Sequence, residues 1–215
     1  MPEIRRSARP SSPAPGRVLH RCRPVDHDDE RPADSGHHRC RKPNRGRDPR
    51  VSRPVVGAVN GPAAGVGVSL TLACDLTVAT KSSYFLVALT KVGLMPDGGA
   101  TALVAASIGR ARAMKMALLA ERLPAREALT AGLIADAYSD DEFASAVENL
   151  TRRLTNGPGD ASRWTKDAVN DATLTELDNA FAREPNGQLE LLATPDFEEG
   201  VTAFRKKRPA AFRRT

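Results

Sequence analysis

The stretch RPVVGAVNGPAAGVGVSLTLACD, Arg53 to Asp75, decides the fold. A short β-branched run, Val55, Val56 and Val59, meets Asn60-Gly61, and Ala64-Gly65-Val66-Gly67 then opens an apolar stretch of helical length. A strand, a Gly-rich turn and a helix in that order leave backbone N–H groups unpaired at the helix start. Such donors stabilise an oxyanion when a carbonyl oxygen is placed against them. The same geometry cradles phosphate, but neither GxxxxGK[ST] nor GxGxxG occurs in the stretch. A plain packing turn is the alternative reading of these residues.

Upstream of this stretch the composition changes. Residues 1–53 hold 14 of the 32 Lys and Arg and 7 of the 26 Asp and Glu, a net +7, so the other 162 residues carry −1. The overall +6 belongs to the head, and the body offers no charge reason to bind nucleic acid. The head, residues 1–52, is rich in Arg, Pro and His, holds His20, His27, His37 and His38, and has few large apolar side chains. It cannot bury enough apolar surface to offset its ordering entropy and is predicted to be disordered. His20-x-Cys22 and His38-x-Cys40 lack the spacing of a zinc ligand pair, so no metal is expected. The acidic run Asp28-Asp29-Glu30 argues against a transit peptide, and there is no apolar h-region or membrane span. Three cysteines without a framework point to a reducing cytoplasm.

The body alternates strand and helix signals. Leu76–Ala79 and Tyr84–Leu89 read as strands, and Pro96-Asp97-Gly98-Gly99 as a turn in which Asp97 could cap the next helix. Helices are predicted over Ala100–Ile108 and Arg110–Leu119, joined at Gly109, and over Pro124–Ala131, ending at Gly132. Leu133–Tyr138 is strand-like. Ser139-x-x-Glu142 reads as a capping box for a helix over Asp141–Thr155. Asp160–Asp171 is helical, Thr173-x-x-Glu176 reads as the cap of a helix to about Arg183, and Thr194-Pro195 opens a last helix to about Lys207. Strands followed mostly by helices fit an α/β class, with residues 53–140 as a core and 141–215 as a helical section. Asp75 is expected to end the Gly-rich helix with a hydrogen bond, Cys74 to be a small buried apolar residue, and Trp164 with Val169 to form a packing face.

These residues, taken in order, resemble the crotonase superfamily, the enoyl-CoA hydratase/isomerase group. The resemblance runs from residue 53 through Ser83-Tyr84-Phe85, Lys91-Val92-Gly93-Leu94-Met95-Pro96-Asp97-Gly98-Gly99, Ile108-Gly109-Arg110-Ala111-Arg112-Ala113, Arg126-Glu127-Ala128 and Ala131-Gly132-Leu133-Ile134. It closes with Glu199-Gly200-Val201-Thr202-Ala203-Phe204, Lys207-Arg208-Pro209 and Phe212. It implies a crotonase-like ββα spiral, truncated at its N-terminal side, with a C-terminal helical trimerisation section. It also implies a homotrimer or hexamer acting on an acyl-CoA thioester, with CoA entering as part of the substrate and no separate cofactor.

Carried over residue by residue, the backbone N–H of Val66, between Gly65 and Gly67, resembles one of two oxyanion-hole donors. The second lies in a Gly-Ala-Asp-like loop well upstream of residue 53, and nothing in residues 1–52 resembles that loop. Hydratases of the family place carboxylates where Ser69 and Leu89 stand, to hold a water and manage its protons. With Leu89 unable to do either, the chain is not expected to be an efficient hydratase, and Ser69 also reads as a small polar helix residue. Asp97 follows the proline that an acid follows in an isomerase branch, which includes ring-epoxide isomerases of phenylacetate degradation. One carboxylate suffices for a 1,3-proton shift, and the apolar neighbours Phe85, Leu89, Leu94 and Met95 favour it. Lys207 resembles a lysine that contacts CoA phosphate; a solvated lysine at a helix C-terminus is the other reading.

Two function classes remain open at this point: an acyl-CoA isomerase, and a non-catalytic remnant or assembly partner of such an enzyme. A head joined so abruptly to a well-patterned body is also what out-of-frame reading of GC-rich DNA produces. Translating the upstream DNA in the other two frames separates a frameshift from a truncated paralogue.

Overall fold

The structure, a computed structural model, describes residues 53–212. The expectations placed on residues 1–52, disorder and the His/Cys pairs included, lie outside the described residues.

The chain winds in repeats of strand, strand and helix. The first is β1 (Val56–Val59), β2 (Pro62–Ala64) and α1 (Val66–Leu72). The second is β3 (Leu76–Thr80), β4 (Tyr84–Leu86), a short 3-10 helix (Leu89–Val92) and α2 (Ala100–Leu119). Then come β5 (Leu123–Pro124), α3 (Ala125–Ala131) and β6 (Asp136–Tyr138). Each repeat gives one strand to each of two sheets. One has the order β1-β3-β6, parallel throughout, with Val56 opposite Leu76 and Val78 opposite Asp136. The other has the order β2-β4-β5, parallel between β2 and β4 and antiparallel between β4 and β5. Parallel neighbours need a crossover, and α1 supplies one for both sheets at once. The core lies where Val59, Ala63, Val68, Ala79, Phe85 and Val104 meet; all are buried and apolar, so their removal from water holds the repeats together.

Four helices follow: α4 (Phe143–Thr155), α5 (Gly159–Thr173), α6 (Leu177–Leu192) and α7 (Pro195–Arg205). The spiral of ββα units and the α/β class are as the sequence led us to expect. So is the break in α2, where Gly109 takes φ 77°, ψ 163° inside an otherwise helical run. Thr194 caps α7 as predicted, its Oγ1 accepting from Phe197 N.

Several local expectations need correction. Strand β4 stops at Leu86, and Leu89 belongs to the 3-10 helix. β2 is a separate strand within the Gly-rich turn. Asp97 does not cap α2: the N-cap is Gly99, left-handed and without a side-chain cap. Ser139 pairs with the side chain of Glu142 instead of closing a capping box. Thr173 ends α5, donating to Val169 O, because a hydroxyl in a last turn finds the carbonyl four residues back before it finds the next helix. Asp75 does not close α1; its Oδ2 accepts from Val55 N at 2.8 Å and pairs with Lys166 Nζ at 2.7 Å, tying β1 to α5. Cys74 is only half-buried, and Trp164 and Val169 are exposed.

Candidate functional site

Gly65 is the N-cap of α1 at φ 55°, ψ −127°, a conformation open to a residue without a Cβ. Its N–H donates to Leu86 O at 2.9 Å, and its carbonyl accepts from Val68 N at 3.0 Å. Between them the Val66 N–H opens the helix, one of the first-turn donors with no acceptor inside it. The Val66 side chain is exposed, so the backbone donor stands at the surface of the core. The helix dipole adds partial positive charge there. Leu89 lies directly against this turn: a Cβ on Gly65 would sit 3.5 Å from Leu89 Cδ1. Gly67 has open space around its Cα.

One turn along α1, about 4.5 Å of rise, stands Ser69. It is buried, and its Oγ donates to the main-chain carbonyl of Asp97 at 2.6 Å. Gly98, at φ 63°, brings its backbone so close that a Cβ would lie 2.9 Å from Ser69 Cβ. One short helix therefore carries the Val66 donor at its start and grips the Asp97 loop at its middle. The structure brings Gly65, Val66, Gly67, Ser69, Leu89 and Asp97 into one place.

Lys207 stands apart. It is exposed, just past α7, in the left-handed region at φ 51°, with its N–H on Phe204 O at 3.1 Å. Helix α7 itself is in contact with the 3-10 helix, where Gly200 backs onto Val92.

The Asp97 carboxylate is half-buried. Oδ2 accepts from Gln188 Nε2 at 3.3 Å, while Oδ1 is buried without a hydrogen-bond partner among the described residues. Gln188 Nε2 also donates to Met95 O at 3.0 Å. Close by, Glu184 is buried and both of its oxygens accept from Gly99 N, at 2.9 and 3.1 Å. Burial pushes the Glu184 carboxyl above its ordinary value; the Asp97 charge adds to this, while the Gly99 and Gly98 N–H groups pull the other way. Sequence reading missed Glu184 and Gln188. It ended their helix near Arg183, whereas α6 runs on to Leu192 with Pro185 inside it.

Chemically, the cluster offers a hydrogen-bond donor for a developing oxyanion and the Asp97 carboxylate, one oxygen of which has no hydrogen-bond partner among the described residues, with the Glu184 carboxylate behind it on Gly99 N. Neither Ser69 nor Leu89 adds a second carboxylate. Two surface clefts in the described residues lie elsewhere, one between Cys74, Ser107 and Ile134, the other along Pro195, Glu198 and Thr202. The described residues hold no group of three metal-ligating side chains.

The sequence profile of the family described as enoyl-CoA hydratase/isomerase matches residues 49–215. A probable enoyl-CoA hydratase of Rhodobacter capsulatus is 43% identical over 159 residues, 74% of this chain and 62% of that protein. The 1,2-epoxyphenylacetyl-CoA isomerase of Escherichia coli is 38% identical over 163 residues, 76% of this chain and 62% of its own length. A crystal structure of an enoyl-CoA hydratase from Mycobacterium avium subsp. paratuberculosis superposes with a TM-score of 0.74 at 56% identity, over 76% of this chain and 66% of that one. The chain thus spans less than two thirds of these relatives. Profile, sequence relatives and a superposable fold agree, and the chain belongs to the enoyl-CoA hydratase/isomerase family.

Proposed function

We propose that the chain acts on an acyl-CoA thioester as an isomerase, moving a double bond by way of an enolate. The observation that carries this reading is a carboxylate at 97 with none at 69 or 89: Ser69 of α1, the helix that Val66 opens, holds the Asp97 carbonyl, one Asp97 carboxylate oxygen has no hydrogen-bond partner among the described residues, and positions 69 and 89 hold Ser and Leu. The thioester carbonyl accepts from the Val66 N–H. As negative charge grows on that oxygen, the donor and the α1 dipole stabilise it, and the proton on the adjacent carbon becomes acidic. Asp97 takes that proton on Oδ1 and returns it two carbons further along, so the double bond shifts and no atom is gained or lost. Lys207 meets a phosphate of the CoA, and no other cofactor takes part. The E. coli relative named as an isomerase supports the reading.

A second oxyanion donor is part of the same reading and lies outside residues 53–212; loss of one such donor typically costs about 10²–10³ in rate. The active form is a trimer or hexamer in the cytoplasm, assembled through the helices after residue 141, whose stripe of Phe143, Val147, Leu150 and Leu154 is only half-buried. No described helix is long and apolar enough to cross a membrane.

A hydratase is the second reading, because relatives named as hydratases reach 43% and 56% identity. The deciding experiment gives the chain a 3-enoyl-CoA and crotonyl-CoA in parallel. Faster formation of the conjugated 2-enoyl thioester than of the 3-hydroxyacyl product supports the isomerase; the reverse order replaces it with the hydratase.

A further inference from the structure

Helix α6 places two polar side chains, one turn apart, on the loop that carries Asp97. Gln188 spans the buried Pro96: a single amide nitrogen donates to Met95 O at 3.0 Å and to Asp97 Oδ2 at 3.3 Å. Glu184 closes the other end of the loop with both oxygens on Gly99 N. Helix α1 holds the middle through Ser69 and the Asp97 carbonyl. Three side chains of two helices, Ser69 of α1 with Glu184 and Gln188 of α6, thus fasten the loop Met95–Gly99.

The helix gives up stability to do this. Pro185 and Gly187 are the two weakest helix formers, and both sit inside α6 between Glu184 and Gln188. Gly187 lies against Met95: a Cβ there would meet Met95 Sδ, so a larger residue requires the methionine side chain to shift. Glu184 is a carboxylate buried without a cationic partner in any of its hydrogen bonds, which burial alone makes unfavourable. A helix with poor local propensity and a costly buried charge marks a place where geometry outweighs stability.

We propose that Glu184 and Gln188 are positioning residues for Asp97: Gln188 fixes Oδ2, leaving Oδ1 as the oxygen without a hydrogen-bond partner, and Glu184 fixes the backbone that carries it. This rests on the reading of Asp97 as the proton-transfer group. Holding a reacting group in place matters kinetically, since a displacement of about 1 Å costs on the order of 10²-fold.

The test uses the full chain labelled with 13C at aspartate carboxyls and 15N at amides. In Gln188→Met the Asp97 carboxyl carbon resonance moves, the 3-enoyl-CoA isomerisation kcat falls about 10- to 100-fold, and KM stays within about two-fold. In Glu184→Leu the Gly99 amide resonance moves, and Glu184→Gln, which keeps an oxygen acceptor, restores it at least half-way. An Asp97 carboxyl resonance unchanged in Gln188→Met overturns the inference whatever the turnover, as does a Gly99 amide indifferent to Glu184→Leu. If those resonances move but Asp97→Asn keeps full isomerase activity, the positioning stands and the proton-transfer role of Asp97 falls.

Discussion

The Ser69 hydroxyl and the Asp97 main-chain carbonyl meet at 2.6 Å, across 28 residues of sequence. That bond joins the helix whose first turn offers the Val66 N–H to the loop that carries the carboxylate. The Asp97 loop is therefore held to the Val66 turn by α1 and this hydrogen bond on one side, and by Glu184 and Gln188 of α6 on the other.

Replacing Ser69 by Ala should remove this tie at almost constant volume. The Asp97 carbonyl then keeps only its bond from Ala100 N, a loss of about 0.5–1.5 kcal/mol. Urea unfolding of Ser69→Ala should show a lower midpoint with an unchanged slope. An unaltered midpoint would mean that the carbonyl is satisfied in some other way.

Asp97→Asn should lower the isomerisation rate by at least about 100-fold, the usual range for a lost acid–base group, while CoA-ester affinity is largely kept. Absorbance of the conjugated thioester follows the rate, and calorimetric titration follows the binding. Near-normal turnover in this variant would reduce Asp97 to a loop residue.

Glu184 should make the protein less stable as pH rises. Its folded carboxyl holds its proton above the ordinary 4.5, chiefly because it is buried. Between that value and the raised folded one the native state binds more protons than the unfolded chain, so stability present below 4.5 is lost as pH climbs through the window. Glu184→Gln should flatten this decline. Thermal unfolding midpoints measured from the acid side of 4.5 upward would reveal it; parallel curves for the two proteins would contradict the assignment.

The opposite sign is expected at Glu199. Arg208 grips its carboxylate with two bonds, at 2.6 and 2.8 Å, and Ala211 N adds a third at 2.7 Å. The arginine holds the folded group at about 2, below its ordinary 4.5. A depressed carboxyl contributes stability that is present above 4.5 and lost as pH falls toward 2. Glu199→Gln should remove that acid-side loss, and midpoints compared above and below 4.5 measure it directly.

Much of the architecture was legible because its signals are local. The glycine at 109 breaks α2 where an αL-tolerant residue interrupts a helical pattern, and Thr194-Pro195 starts α7 through the bond the sequence suggests. Side-chain caps were the weakest inference. Ser139, Thr173 and Asp97 all have the right residue type, but tertiary contacts or a neighbouring carbonyl claim their oxygens first. The Val66 turn was readable from Gly65 and Gly67. The partners of the Asp97 loop were not, because Glu184 and Gln188 reach Gly99 and Met95 from 85 and 93 residues away and no spacing rule extends that far. A proline and a glycine inside an otherwise apolar-periodic segment were the one available hint. They read as a helix end when they mark a close approach.

The same long span sets an order of events as the chain is made. Synthesis runs from the N-terminus, and domains fold as their parts emerge. The two sheets can pair once β6, ending at Tyr138, has left the ribosome. The Met95–Gly99 loop can take its Ser69 bond early but is not gripped by α6 until residues 184–188 follow, so its carboxylate lacks the Gln188 bond through most of translation. Closing so wide a gap is slow, because chain entropy must be spent before the contact returns anything. The last fastening of the loop is thus made late, and a ribosome that stops short of α6 leaves a spiral with an unfinished site.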